Sequence, residues 1–190
     1  MTNEIISSIE TLLQKKERIV VAIDGMCAAG KSTLALELKQ KFNGEIIPMD
    51  SFFLPKELRT KERYQEPGGN IHYERFMQEI MIPFINYNKV GYRSFDCKKM
   101  EYSNYKEVPV TSLYLIEGTY SMRIEFQAFY DLSIFLKCSV EEQNRRIIAR
   151  NGELQAHTFQ KVWIPFENSY FEHLEIEKHC DIVVNTGENV

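Results

Sequence analysis

Five short runs of consecutive apolar, largely β-branched residues recur along the chain: "RIVVAID" (18–24), "EIIPMD" (45–50), "SLYLIEG" (112–118), "DLSIFLK" (131–137) and "CDIVVN" (180–185). Runs that are apolar at successive rather than alternate positions suit strands covered on both faces in a parallel sheet. Between them the apolar spacing turns helical, over about 31–42, 72–88, 140–150 and 157–178. Ahead of the first run, "NEIISSIETLLQKK" (3–16) places Ile5, Ile6, Ile9, Leu12 and Leu13 at helical spacing, with Thr2 or Asn3 as the cap. Strands alternating with helices predict an α/β fold: a doubly wound, five-stranded parallel sheet with right-handed crossovers and helices on both faces. Two stretches break the rhythm. Residues 51–71, "SFFLPKELRTKERYQEPGGNI", lack clear periodicity, and loops that long inside a domain are usually functional. Residues 91–110 alternate enough for a β-hairpin. In "WIPFENSYFEHLEI", Trp163, Phe166, Tyr170, Phe171 and Leu174 fall at helical spacing and read as core.

Composition narrows the setting. With 190 residues, 44% hydrophobic and 26% charged, the chain is expected to form one domain over 1–190, carrying a loop at about 51–71, a hairpin at about 91–110 and a lid at about 145–156. A net charge of −4 and dispersed Lys and Arg residues argue against nucleic acid as a partner. The four cysteines, Cys27, Cys97, Cys138 and Cys180, are widely separated, so neither a zinc site nor a disulfide framework is expected, and a reducing cytoplasm is the simplest compartment. No run approaches the roughly 18 apolar residues of a membrane span, and the N-terminus lacks the order of a signal peptide, so no membrane partner is expected. The oligomeric state stays open, a homo-oligomer included.

The chemistry enters at "GMCAAGKST". Gly25, Met26, Cys27, Ala28, Ala29, Gly30, Lys31 and Ser32 match G-x-x-x-x-G-K-[ST], and they lie between an apolar strand and a helix. Glycines at both ends let the backbone curl so that several N–H groups and the positive end of the helix dipole meet a phosphate. Lys31 would bridge the outer phosphates of a nucleoside triphosphate, and Ser32 would offer Mg²⁺ a hard oxygen. Thr33 follows as a helix residue near the metal. Cys27 reads as a small filler in the loop.

Ligands of open α/β sheets bind beyond the carboxyl ends of the strands. Two acids end strands there: Asp50 closes "EIIPMD" and Glu117 closes "SLYLIEG". Phosphoryl transfer to a hydroxyl needs one carboxylate to orient the acceptor and take its proton, and acidic or water-mediated ligation of the metal. Asp50 suits the first role and Glu117 the second, with either able to touch the metal. Asp24, just before Gly25, reads as a brace for the loop. Helix "SVEEQNRRIIARNG" has Ser139 as cap and sets Arg146 and Arg150 on one face, where guanidinium groups could neutralise a transferring phosphoryl group, while Arg145 points elsewhere.

In this order the pieces resemble the uridine kinase and phosphoribulokinase group of P-loop kinases. The resemblance runs over nearly the whole chain, through "VVAIDGMCAAGKSTLA", "MDSFFL", "LIEGTY", "RRIIARNG", "WIPFENSYF" and "CDIVVNTG". It implies ATP and Mg²⁺, Asp50 as general base, Glu117 as magnesium partner, and transfer to a primary hydroxyl of a nucleoside-like small molecule. The departures concern the acceptor. Where uridine kinases carry an acidic D-H-P-D-A-F-D segment, this chain reads "QEPGGNIHYERF", and where they carry Y-D-F with a following His it keeps Phe95 and Asp96 in "FDCKKM" without the histidine. Phe53, Arg59, Arg63, Glu66, His72, Tyr73 and Phe95 are the acceptor candidates. A related kinase for pantothenate, nicotinamide riboside or another small acceptor is one alternative. A nucleotide-dependent switch is another, although no N-K-x-D or strand-end D-x-x-G segment is present.

Overall fold

The computed structural model describes residues 2–187. Over them the chain runs α1 (Thr2–Leu13), β1 (Ile19–Gly25), α2 (Lys31–Phe42), β2 (Glu45–Pro48), α3 (Lys61–Gln65), α4 (Tyr73–Phe76), α5 (Ile82–Ile85), β3 (Gly91–Tyr92), β4 (Phe95–Asp96), β5 (Glu101–Tyr102), β6 (Lys106–Glu107), β7 (Leu113–Glu117), α6 (Ile124–Gln127), β8 (Leu132–Lys137), α7 (Val140–Asn151), α8 (Glu153–Thr158), α9 (Ile164–His173) and β9 (Ile182–Asn185). All five apolar runs form strands of one parallel sheet, in the order β2-β7-β1-β8-β9. The strands advance from β1 to one side and return to the other, so the switch point where a ligand crevice opens lies at the carboxyl end of β1. Register aligns the chemistry there: Ile23 stands opposite Glu117, Pro48 opposite Glu117, and Gly25 opposite Leu136.

β1 is buried throughout because it feeds two cores. Ile19, Val21 and Ile23 face one side with Leu34, Ala35 and Leu38 of α2 and with Ile5 and Ile9 of α1. Val20 and Ala22 face the other, with Ile47, Ile116, Phe52, Phe76, Phe126 and Tyr170. Ile5 and Ile9 are almost fully buried, and each contributes roughly 1.5–3 kcal/mol to docking α1. Thr2 and Asn3, expected as caps, lie inside that helix, and the capping position itself falls outside the described residues.

Both long helices expected from periodicity are interrupted for one reason. The 72–88 stretch is α4, a π-helical turn at Met77–Met81, and α5; the 157–178 stretch is the end of α8, a π-helical turn at Phe159–Trp163, and α9, which stops at His173 ahead of a 3₁₀ turn at Ile176–His179. Each π turn runs into a proline at the second position of the next helix, Pro83 or Pro165. A proline has no N–H for the carbonyl four residues back and its ring crowds that carbonyl, so the ladder widens locally. Over 145–156, the segment expected as a lid, α7 ends, Gly152 turns at φ +77°, and α8 begins. The hairpin expected at 91–110 is present, with β3 pairing β6 and β4 pairing β5 antiparallel. Residues 51–71 fold back on themselves: Leu54 N–H donates to Asn70, His72 N–H donates to Phe52, and Phe53 bridges Ile71. Among the described residues no helix is long and apolar enough to cross a membrane.

Candidate active site

The loop between β1 and α2 is shaped from both ends by glycine. Gly25 has φ +133°, and a Cβ there would sit 2.0 Å from the Leu136 carbonyl oxygen, so only glycine lets the loop leave flush against β8. Gly30 at φ +96° then turns the chain into α2, and Ala28 between them also holds a left-handed φ of 61°. Among the described residues the N–H groups of Gly30, Lys31, Ser32 and Thr33 donate to no acceptor. They are the open first turn of a helix, a cradle of donors with the positive dipole end behind it. Lys31 is buried, and its ammonium donates to Gly25 O (2.6 Å), Met26 O (2.9 Å) and Thr119 Oγ1 (3.1 Å), which stations it at the mouth of the loop.

Buried groups hold the loop from behind. Asp24, fully buried, accepts from Gly25 N–H (2.6 Å), Met122 N–H (2.8 Å) and the Tyr170 hydroxyl (2.8 Å). Burial raises its carboxyl above the ordinary value, and these donors and Lys31 oppose the rise. Glu167 of α9 accepts from Cys27 N–H (2.9 Å), and Gln143 of α7 donates to the Cys27 carbonyl (3.1 Å). Burial raises the Glu167 carboxyl too, with Lys31 pulling the other way. It pushes the Cys27 thiol up to about 12, which leaves Cys27 an inert filler.

Asp50 rides on a 3₁₀ turn, Met49–Phe52, that follows β2. Met49 and Phe52, three apart, both enter the core, which turns Asp50 outward into the crevice. Arg75 fixes the turn by donating to Ser51 O (2.7 Å) and Arg93 O (2.7 Å). Asp50 is open to solvent within the crevice but ringed by protein, and this confinement raises its carboxyl while Lys31 and Arg150 lower it. Glu117, at the end of β7, accepts from Ser32 Oγ (3.1 Å). Burial raises its carboxyl, Lys31 and the Ser32 bond lower it, and Asp50 and Asp24 add a smaller upward push.

One cavity of about 1190 Å³ joins these groups. That exceeds the roughly 300–1,000 Å³ of a site for one small ligand. Gly30, Lys31, Ser32, Arg146 and Thr186 line it, as do Asp50, Phe53, Arg59, Asn70, Glu117 and Tyr120. The two arginines of α7 part company here. Arg146 is committed to Glu142 (2.6 Å), Ala28 O (3.2 Å) and Thr186 (2.8 and 2.9 Å), so it pins α7 to the loop and to the end of β9. Among the described residues Arg150 meets Asn151 and the Phe159 ring, and its charge reaches Asp50. Arg145 is exposed and pairs with Glu142.

Of the acceptor candidates, Phe53 and Arg59 border the cavity, whereas Arg63, Glu66, His72, Tyr73 and Phe95 do not. Arg63 pairs with Glu74 and Glu66 and donates to Gly69 O and Ile71 O, which staples the 51–71 segment. Tyr73 is sandwiched between the guanidinium groups of Arg63 (3.8 Å) and Arg123 (3.9 Å). Phe95 is buried against Tyr102. Trp163, expected in the core, is half-exposed and borders the cavity, while Tyr170 is fully buried as expected. Sequence reasoning missed Asn70, Tyr120 and Glu167. Glu167 left a signal, an acid three residues before Tyr170 on the buried face of α9.

Ser32 Oγ with Glu117 and Asp50 would suit Mg²⁺, which takes few protein oxygens and completes its shell with water and phosphate. Among the described residues no cluster of three or more His, Cys, Asp or Glu side chains offers an all-protein metal cage.

The fold is shared with solved structures. The chain superposes on a possible uridine kinase from Bacillus stearothermophilus with a TM-score of 0.63 at 21% identity, over 95% of this chain and 98% of that one. It superposes on a proposed fructose transport system kinase from Silicibacter sp. TM1040 with a TM-score of 0.72 at 21% identity, over 94% and 97%. For YFH7 of Saccharomyces cerevisiae, a proposed P-loop-containing kinase with a circular permutation, the values are 0.69, 12%, 100% and 100%. At these identities the likeness is one of fold. A segment of 82 residues, 42% of this chain, is 30% identical to tRNA dimethylallyltransferase of Geobacter metallireducens and spans 26% of that relative's length. No protein-family model matches the chain.

Proposed function

We propose that the protein transfers the γ-phosphoryl group of Mg-ATP to a hydroxyl of a small metabolite. The observation that carries this reading is one cavity lined by Gly30, Lys31 and Ser32 of the loop together with Asp50 and Glu117. The N–H groups of Gly30 to Thr33 bind and orient the phosphates, and Lys31 exchanges its loop carbonyls for the outer phosphate oxygens. Ser32 and Glu117, with Asp50 also lining the cavity, would hold Mg²⁺, which would neutralise charge on the phosphates. Asp50 accepts the acceptor's hydroxyl proton as that oxygen bonds to the γ-phosphorus and the bond to the ADP oxygen breaks. Arg150 and Lys31 offset the charge that spreads over the transferring group. Arg146 acts as a strut for the loop. The reading includes a cytoplasmic small-molecule enzyme without nucleic-acid or membrane partners.

A nucleoside-like acceptor follows from the resemblance at "MDSFFL" and "LIEGTY"; a different acceptor, of the pantothenate or nicotinamide riboside kind, follows from the departure at "QEPGGNIHYERF". A coupled assay of ADP release from Mg-ATP, run over nucleosides, vitamins and sugars, tests the proposal. An acceptor is expected to raise ADP release, and Lys31→Ala to weaken both turnover and the thermal shift induced by ATP. ADP release unmoved by every compound would favour a nucleotide switch.

A further inference from the structure

Arg59 is the cation that the scheme above leaves unused. Its Nε donates to Leu54 O (2.9 Å) and its Nη2 approaches Cys97 Sγ (3.6 Å), which fixes the guanidinium and leaves the Nη1 edge free. Among the described residues no carboxylate lies within 4.0 Å of it, whereas Arg63, Arg75, Arg123, Arg145 and Arg146 are all ion-paired. It lines the same cavity as Asn70 and Asp50. Asn70 is 6% exposed, and both atoms of its side-chain amide are buried without a hydrogen-bond partner. The Tyr120 hydroxyl lies close enough to feel the amide but outside bonding geometry. A buried amide left open in this way is costly unless a ligand completes it.

We propose that Arg59 and Asn70 form an acceptor subsite that selects a hydroxyl compound carrying one carboxylate. Arg59 takes the carboxylate, Asn70 takes a neutral hydroxyl or amide in mid-molecule, and the phosphorylated hydroxyl meets Asp50. Charge decides between anions. One guanidinium balances one negative charge, and the other cations bordering the cavity have roles already: Lys31 and Arg146 are bonded to the loop after β1, and Arg150 is assigned to the transferring group. A phosphate monoester would bring a second negative charge with no cation to meet it. A neutral nucleoside would leave the free guanidinium edge unmatched.

The inference rests on the kinase reading, so its test separates the two. D-glycerate, D-gluconate and pantothenate are compared with glycerol, ribose and uridine, and with glycerol 3-phosphate, in ADP release with Mg-ATP and in thermal shift with a non-hydrolysable ATP analogue. A carboxylate compound is expected to give both signals where its neutral and phosphorylated counterparts do not. Arg59→Met should then raise KM for that acid about 10- to 100-fold, the loss of a charge-assisted hydrogen-bonded pair, with KM for ATP unchanged, and Arg59→Lys should recover part of it. Turnover of the neutral or phosphorylated compounds, or an Arg59→Met variant that handles the acid like the parent, overturns the inference and leaves the kinase reading standing. Thermal shift by the ATP analogue without ADP release on any compound overturns both.

Discussion

Replacing Asp24 with alanine tests how the phosphate loop is held. In the folded chain Asp24 is shielded from water, as is Tyr170, whose hydroxyl it accepts, and it also accepts the backbone N–H of Met122. Asp24→Ala strands these two buried donors and a third, the Gly25 N–H. Each costs about 1–3 kcal/mol when left unmade, so the loss for three should be about 3–9 kcal/mol, a large share of a domain's stability. Urea unfolding followed by fluorescence should show a lower midpoint at an unchanged slope. The isosteric Asp24→Asn should cost less. Because burial raises the Asp24 carboxyl in the fold above its unfolded value, the folded state binds the extra proton, and this group's contribution falls as pH rises from the unfolded value through the raised one. The Asn variant lacks that dependence, so its deficit should narrow as pH rises. An Asp24→Ala variant within about 1 kcal/mol of the parent would refute the brace.

The acid limb of kcat/KM should lie above the ordinary range for an aspartate, because confinement raises Asp50 and a base of the kind proposed for it works only when ionised. Arg150→Met removes a cation that lowers Asp50, so the limb should move to higher pH; a limb that stays put or moves down would detach Arg150 from the base. Gly25→Ala places a Cβ 2.0 Å from Leu136 O at φ +133°, so the thermal shift induced by ATP should vanish along with at least ~1–3 kcal/mol of stability, whereas a variant that retains both would show the loop to be less constrained than its geometry implies.

The layout of the sheet was readable because a strand covered on both faces must be apolar at every position, and all five such runs became strands. Their order could not be read locally, since it depends on which helix packs on which face. The two long helices were readable as amphipathic stretches, but Pro83 and Pro165 widened them in ways a 3.6-residue period does not show. At the site, the loop, Asp50 and Glu117 were legible because strand ends point at the crevice. The acceptor side was not. Arg63 and Tyr73 look like ligands in sequence, but in the fold they satisfy Glu74 and Arg123. Asn70 is an ordinary polar residue until the 51–71 segment folds back and buries it with its amide open. Arg146 and Arg150 share a helical face, yet Thr186, 40 residues away from Arg146 in sequence, is what separates their roles.

The most direct measurement is phosphoryl transfer by Asp50→Asn, with the acceptor that raises ADP release, alongside ATP binding by the same variant. The substitution keeps the shape of the side chain and removes its capacity to take a proton. Binding close to that of the parent, with transfer reduced by about 10²–10⁴-fold, is the predicted result. Transfer at near-parental rate would contradict the account, because no acceptor-side base would then act where Asp50 faces the phosphate cradle.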